Sequence, residues 1–571
     1  MKAGLLAFGA LIWAAPVTAQ AQDPLAPLPT TSPPSASAAP EVAQPPPSPP
    51  PAPSVAAPKD WRGVFDAIDS GNWAAARAGI AALPQGILTP LAKAELYTAK
   101  GSPTVDLASL QALVAQAPEL PQAEQLARMA WTRGATTMPA YIPPQRTLSL
   151  GSAPGRYRAR PVQGEPAADQ LRPLLDQLVK NDDAAGAEAQ LITFAPQLSV
   201  EARAEAATRT AFIYYILGLD MDARRVADTW RQGATGEWAS QAAWVSGIAS
   251  WRLGDCESAS RAFNQVAATA QQRELRAGGL YWQARAEQAC RRPASVEPLL
   301  RAAATAPESS ESFYGLLARE TLGMDTKLAS DPLIGFDPPV DQLPNVQRAK
   351  ELVRIGEIGL AEELLRHQAR IGLPTEHHAL IQVAKKLDLA GAQLWLANNG
   401  QWGARSDAAD RYPNPRWIPL TGWRVDPALA FGHIVQESSF RRAAVSPAGA
   451  VGLMQVRPGS AGDMARSRGI AFSRAMLTDP RANLEFGQSY IEMLRGQTST
   501  GGQLPRVIAA YNAGPTPVAR WAGINDKGDP LLWIESLPYW ETRYYVPAVL
   551  RNMWVYQGLN REDTTTLKAM A

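Results

Sequence analysis

Cysteine is nearly absent from this chain: Cys256 and Cys290 are the only two in 571 residues, so at most one disulfide can form. In an oxidising compartment such a pair is a disulfide candidate. Helical stretches at 256–270 and 274–290, joined by a short turn, would run antiparallel and bring the two within reach. Two buried free thiols are the alternative. Charge of one sign is also lacking. A formal net charge of +2 gives no support to a nucleic-acid partner, which would show a basic face or block. Long apolar runs are missing beyond the N-terminus, so no integral membrane segment of the ~20 residues needed is expected there. Runs of β-branched residues and Asn-Gly hairpin signals are scarce, which argues against a sheet domain. Only four histidines occur. His433 lies one helical turn before Glu437, yet no third ligand at metal spacing accompanies them, so a packed or Glu-paired histidine is expected and metal is not. His377 and His378 read as a loop or helix-start pair. No phosphate loop, Ser/His/Asp pattern or cofactor fingerprint is present, and no cofactor is expected.

What is present belongs to a folded protein of at least two domains, with 46% hydrophobic and 19% charged residues. Lys2, an apolar run from Ala3 to Val17, and Ala19-Gln20-Ala21 form the pattern of a secretory signal peptide over 1–21. Residues 22–58 are dense in Pro, Ala and Ser and read as an extended or disordered linker. From 59 to 405 the chain is rich in Ala, Leu and Glu/Arg, with apolar residues at helical spacing. A loose unit recurs, in which a Gly-containing or polar turn precedes an Ala-rich amphipathic helix. Examples are Ser70-Gly71-Asn72-Trp73-Ala74, Leu253-Gly254-Asp255-Cys256-Glu257 and Ile355-Gly356-Glu357-Ile358. Such units cannot bury their apolar faces alone, so an α-helical, tetratricopeptide-like solenoid is expected. Trp73, Trp244, Trp251 and Trp282 at helical spacing read as core fillers rather than sugar-stacking residues.

The texture changes over 406–571. Asp426-Pro427 starts a helix, with an N-cap followed by proline at the first helical position, and the helix runs to Glu437. A carboxylate at a helix C-terminus among apolar neighbours should have a raised pKa, as a general acid requires. Farther on, Ser446-Pro447-Ala448-Gly449-Ala450-Val451-Gly452-Leu453-Met454-Gln455 combines a tight glycine-containing backbone with an amide able to donate and accept. Ala510-Tyr511-Asn512-Ala513-Gly514 and Glu541-Thr542-Arg543-Tyr544-Tyr545-Val546 follow.

Glu437-Ser438, Gly452-Leu453-Met454-Gln455, the Tyr511 segment and the Glu541 segment resemble, in that order, the motifs of the soluble lytic murein transglycosylases. Ser312-Phe313-Tyr314-Gly315-Leu316-Leu317-Ala318 is similar to a helical segment this family carries upstream. The resemblance implies an all-α chain, an α-superhelical region followed by a lysozyme-like catalytic domain. It implies non-hydrolytic cleavage of the β-1,4 bond between N-acetylmuramic acid and N-acetylglucosamine, leaving 1,6-anhydro ends, with Glu437 as acid and then base. By motif position, Ser446, Gly452, Met454, Gln455 and Tyr511 would bind substrate, and Asn512 would brace the loop or touch sugar. Glu541 would orient substrate or serve structure, with Arg543 behind it holding that carboxylate. Arg457 either contacts a peptide-stem carboxylate or faces solvent.

The expected partners are peptidoglycan glycan strands, together with cell-wall or secretion machinery proteins, in the periplasm. Two other readings stand beside the transglycosylase: a goose-type-lysozyme-like hydrolase, and a helical scaffold with a decayed catalytic domain.

Overall fold

The computed structural model describes residues 56–328 and 337–571. The expected signal peptide and nearly all of the expected linker lie outside the described residues. The remainder is helical, and its one ladder is a two-residue antiparallel pair, Leu148–Ser149 with Asn399–Gly400.

The recurring turn noted in the sequence is a local device for ending one helix and starting the next. Gly71, Gly254 and Gly356 adopt φ of +72°, +79° and +89°, the left-handed conformation that closes a helix. At the first two, the following residue then caps the next helix: Asn72 accepts from Ala75 N at 3.2 Å and Asp255 from Ser258 N at 3.0 Å. After Gly356 the helix Ile358–Ile371 starts without a side-chain cap. Small alanines along each helix let neighbours pack closely. Cys256 opens the helix Cys256–Thr269 and Cys290 caps the end of its antiparallel partner, Arg273–Ala289. The two sulfurs are bonded, with Cα atoms 5.5 Å apart. Trp244 and Trp282 are buried, while Trp73 and Trp251 pack half-buried against the apolar clusters.

The array does not form one uninterrupted core. The helices between 61 and 132 share an apolar cluster with those between 344 and 398, so the start of the chain closes onto the end of the array. Arg348 and Asn345 fasten this closure, through an Arg348–Glu119 pair at 2.6 Å and an Asn345 Nδ2 bond to Glu119 O at 2.8 Å. The helices between 166 and 321 share their cluster with the C-terminal region instead. Phe313, in the segment 312–318, stacks on Trp554 with centroids 5.2 Å apart, and Tyr215 Oη meets Ser536 Oγ at 2.7 Å. An extended stretch around 150–163 straps these parts together: Leu150 N donates to Asn398 O, Tyr157 N to Gln272 Oε1, and Arg156 pairs with Glu535.

Within the C-terminal region, the helix Pro427–Glu437 crosses the long closing helix Trp540–Asn560 at Gly432. A Cβ on Gly432 would lie 3.0 Å from Val549 O, so only glycine allows this separation without a shift. That crossing sets the C-terminal end of one helix against the first turns of the other.

Candidate active site

Glu437 is the last residue of its helix. Asp426 starts that helix by accepting from Ala428 N at 2.8 Å, and is itself held by Gln557 at 2.7 Å. The helix stops because Ser439 and Phe440 turn into the left-handed region, at φ +51° and +63°, and Phe440 buries its ring. Burial pushes the Glu437 carboxyl up to about 7; the nearby charge of Glu541 adds to the rise, and a hydrogen bond from Tyr545 opposes it. Tyr545 donates to Glu437 Oε1 at 2.5 Å, and its oxygen lies 2.7 Å from His433 Nδ1. Because the tyrosine proton points at the carboxylate, His433 donates from Nδ1 to the tyrosine oxygen. His433 is fully buried, and burial lowers its pKa to about 3, so it is neutral at working pH. Of the two expectations, a packed or a Glu-paired histidine, the packed one holds: His433 is buried and bonds Tyr545, not Glu437. Among the described residues, no His/Cys/Asp/Glu group is arranged to hold a metal.

The glycine-containing loop is tied down from within. Gly452, at φ +83°, donates to Ala444 O at 2.8 Å; a Cβ there would sit 2.1 Å from Leu477 O and 2.2 Å from Asn483 Nδ2. Ser446 Oγ accepts from Ala450 N at 3.1 Å. Gln455 takes a left-handed backbone at φ +49° and spends its amide nitrogen on Ala444 O and Gly452 O, at 3.1 and 2.8 Å, so its Oε1 is the atom it can offer a ligand. Asn483, fully buried on the helix Pro480–Arg495, clamps the loop. It accepts from Met454 N at 2.8 Å and donates to Val451 O and Leu477 O at 3.0 and 2.8 Å.

Several residues expected at the ligand are tied to neighbouring parts of the chain. The Met454 side chain is 0% exposed and packs on Gly487 rather than facing the open site; its carbonyl accepts from Tyr511 Oη at 2.8 Å. The Tyr511 ring lies between His433 and Tyr490, with centroids at 4.4 and 5.4 Å. Asn512 Oδ1 accepts from Thr542 Oγ1 at 2.6 Å, which joins the helix Leu504–Ala513 to the closing helix. Glu541 is exposed beside Glu437. Arg543 does not hold Glu541: it donates to Leu537 O at 3.2 Å and lies 3.8 Å from the centroid of Phe212. Arg457 is exposed, with one long bond to Ala448 O at 3.4 Å. Sequence reasoning missed Tyr545, Asn483 and Thr542. Only Tyr545 carried a signal, one helical turn after Glu541 and therefore on the same face.

A half-buried carboxyl at a helix end, a braced glycine loop and a closing helix define a lysozyme-like domain mounted on a helical superstructure. Residues 419–534 match the family described as Transglycosylase SLT domain. The soluble lytic murein transglycosylase of Escherichia coli K12 is 29% identical over 276 residues, 45% of this chain and 40% of that protein. Membrane-bound lytic murein transglycosylase C of Actinobacillus succinogenes is 40% identical over 104 residues, 17% of this chain and 29% of that one. These alignments span well under half the length of the curated relatives. In structure, an inactive mutant of the lytic transglycosylase Slt from Pseudomonas aeruginosa is similar at TM-score 0.53 and 20% identity, covering 88% of this chain and 86% of that one. The 70 kDa soluble lytic transglycosylase of E. coli is similar at 0.51 and 18%, covering 88% and 97%. At such identities these two likenesses establish the fold. Residues 419–534 thus carry the match to the Transglycosylase SLT domain, and 88% of the chain shares the fold of these two lytic transglycosylases.

Proposed function

We propose that this chain is a lytic transglycosylase that cuts the bond between N-acetylmuramic acid and N-acetylglucosamine in peptidoglycan without water, leaving 1,6-anhydro ends. The observation that carries this reading is the solitary engagement of Glu437. Its only side-chain hydrogen-bond partner among the described residues is a phenol, and the nearest acid named in its electrostatics, Glu541, acts on it through charge alone. An ordinary glycosidase divides its chemistry between two carboxyl groups. One suffices when the attacking group is the sugar's own C6 hydroxyl, already tethered and therefore at high effective concentration.

In this mechanism Glu437, held protonated by burial, gives its proton to the glycosidic oxygen as the leaving sugar departs. The resulting carboxylate is stabilised by the Tyr545 hydroxyl and takes the proton of the C6 hydroxyl as that oxygen closes on C1. Gln455 Oε1 and the Ser446 region line the approach and orient the muramyl N-acetyl group. The catalytic unit spans 406–571 on an array spanning 59–405. The site of action is the periplasm, reached through the N-terminal signal, with glycan strands as substrate and wall or secretion proteins as partners.

Mass spectrometry of purified murein digested with the protein tests this. Anhydro-muramyl ends support the transglycosylase; only reducing ends would make the chain a hydrolase, and intact murein would make it a scaffold.

A further inference from the structure

A second concave site lies where the helical array meets the closing helix. A cavity of about 290 Å³ opens there, near the lower end of small-ligand sites at roughly 300 Å³. Its walls carry five cationic side chains, Arg156, Arg158, Lys180, Arg209 and Arg543, against one carboxylate, Asp176. Two of the cations are already neutralised: Arg156 by Glu535 at 2.5 Å, and Arg209 by Asp176. Among the described residues, Arg158, Lys180 and Arg543 have no carboxylate at ion-pair distance. Three buried N–H groups in the same walls also lack an acceptor: Arg156 Nε, Trp244 Nε1 and Arg543 Nε. Arg543 is 8% exposed. A guanidinium cannot discharge itself by losing its proton, so burying one without a counter-charge is costly. The remaining surface is apolar and aromatic, from Phe212, Trp238, Trp540 and Tyr544 among others.

Unmet donors, surplus positive charge and flat apolar walls together fit an anion attached to an apolar body. We infer that this cavity binds the terminal carboxylate of a short peptide, with the carboxylate on Arg543 and the side chains against the aromatic wall. The choice of carboxylate rests on the proposed substrate, since the anions of a glycan–peptide wall polymer are the carboxyl groups of its peptides. The cavity backs directly onto the closing helix Trp540–Asn560. Trp540, Arg543 and Tyr544 share one face of its first turns, while Glu541 and Tyr545, four residues apart, share the face toward Glu437. A peptide seated here therefore holds the turn that aims Tyr545.

Calorimetric titration of the intact protein with N-acetyl-D-alanyl-D-alanine tests the site without requiring glycan cleavage. The C-terminal carboxamide of the same dipeptide and inorganic phosphate serve as comparison ligands. Saturable binding of the acid is expected, with the amide and phosphate each weaker by about tenfold or more. Arg543→Gln should weaken the acid by a similar factor. Because that residue is buried, the Arg158→Gln/Lys180→Gln double variant, at exposed positions, carries the same expectation if Arg543→Gln does not fold. Equal binding of the amide, phosphate binding as tight as the dipeptide, no binding at all, or undiminished binding in the folded variants would each overturn the inference. Should murein digestion yield no anhydro ends while the dipeptide still binds, the proposed reaction fails and the site stands.

Discussion

Tyr545 donates its hydroxyl proton to Glu437 Oε1 at 2.5 Å across 108 residues of chain. That bond divides the control of one carboxyl between two opposing influences, burial pushing its pKa up and the phenol pulling it down. It also makes the pH behaviour of the site a direct readout of its geometry.

In the proposed mechanism the acid form of Glu437 begins the reaction, and burial pushes its carboxyl up to about 7. Activity should therefore fall as pH rises through about 7, a limb set by loss of the required proton. The same group should make the fold slightly less stable as pH rises from the ordinary carboxylate range through about 7, because the unfolded chain ionises there first. Glu437→Gln should reduce murein cleavage by about 10²–10⁴-fold and abolish the alkaline limb of any residual rate. Initial rates of soluble muropeptide release across pH check both outcomes.

Tyr545→Phe and Glu541→Gln should move that limb in opposite directions. Removing the phenol takes away the bond that favours the carboxylate, so the limb moves to higher pH. The rate should also drop by about 10–100-fold, the value of one hydrogen bond to a charged group. Removing the neighbouring negative charge of Glu541 instead lets Glu437 ionise more easily, and the limb moves to lower pH. His433→Phe, which keeps a ring but no donor at the tyrosine oxygen, should shift the limb less than Tyr545→Phe does. pH–rate profiles of the three variants decide the matter, and parallel shifts in all three would refute the arrangement.

Gly452→Ala should destabilise the C-terminal region by more than about 2 kcal/mol, because a methyl at φ +83° must displace either Leu477 O or the Asn483 clamp. Asn483→Ala removes the clamp from the other side and should lower activity through a misplaced Gln455 loop. Thermal unfolding followed by near-ultraviolet circular dichroism, with murein cleavage measured on the folded fraction, separates the two effects.

Cys256 and Cys290 close a stretch of 34 residues between neighbouring helices. By the loop-entropy relation, removing the bond in a Cys256→Ser/Cys290→Ser variant should cost about 3–4 kcal/mol. The loss should fall on the array rather than on the site around Glu437. A lower melting temperature with unchanged activity at 25 °C is the expected pair of results.

How much of this was legible beforehand differs from element to element. The turn-and-helix units were readable because a left-handed glycine, a cap and an Ala-rich run are local signals. The start of the Glu437 helix was readable for the same reason, from Asp426-Pro427. Tyr545 was in view but without a role, since nothing in a sequence says which of two adjacent tyrosines faces a carboxylate 108 positions away. Met454 was expected to touch sugar because it stands between Gly452 and Gln455. Its burial is decided by Gly487, whose missing side chain leaves the space that the thioether fills.

By itself the sequence determined the helical class and the start of the helix that carries Glu437, because caps, periodicity and short motifs act over a few residues. Only the tertiary structure decided that the first helices close onto the last ones of the array. It also decided that Arg543 lines a second cavity rather than holding Glu541, and that Tyr545 stands between Glu437 and His433, hydrogen-bonded to both. Those relationships depend on which helix faces cross and how much water each crossing excludes. Burial and facing are properties of the packed whole.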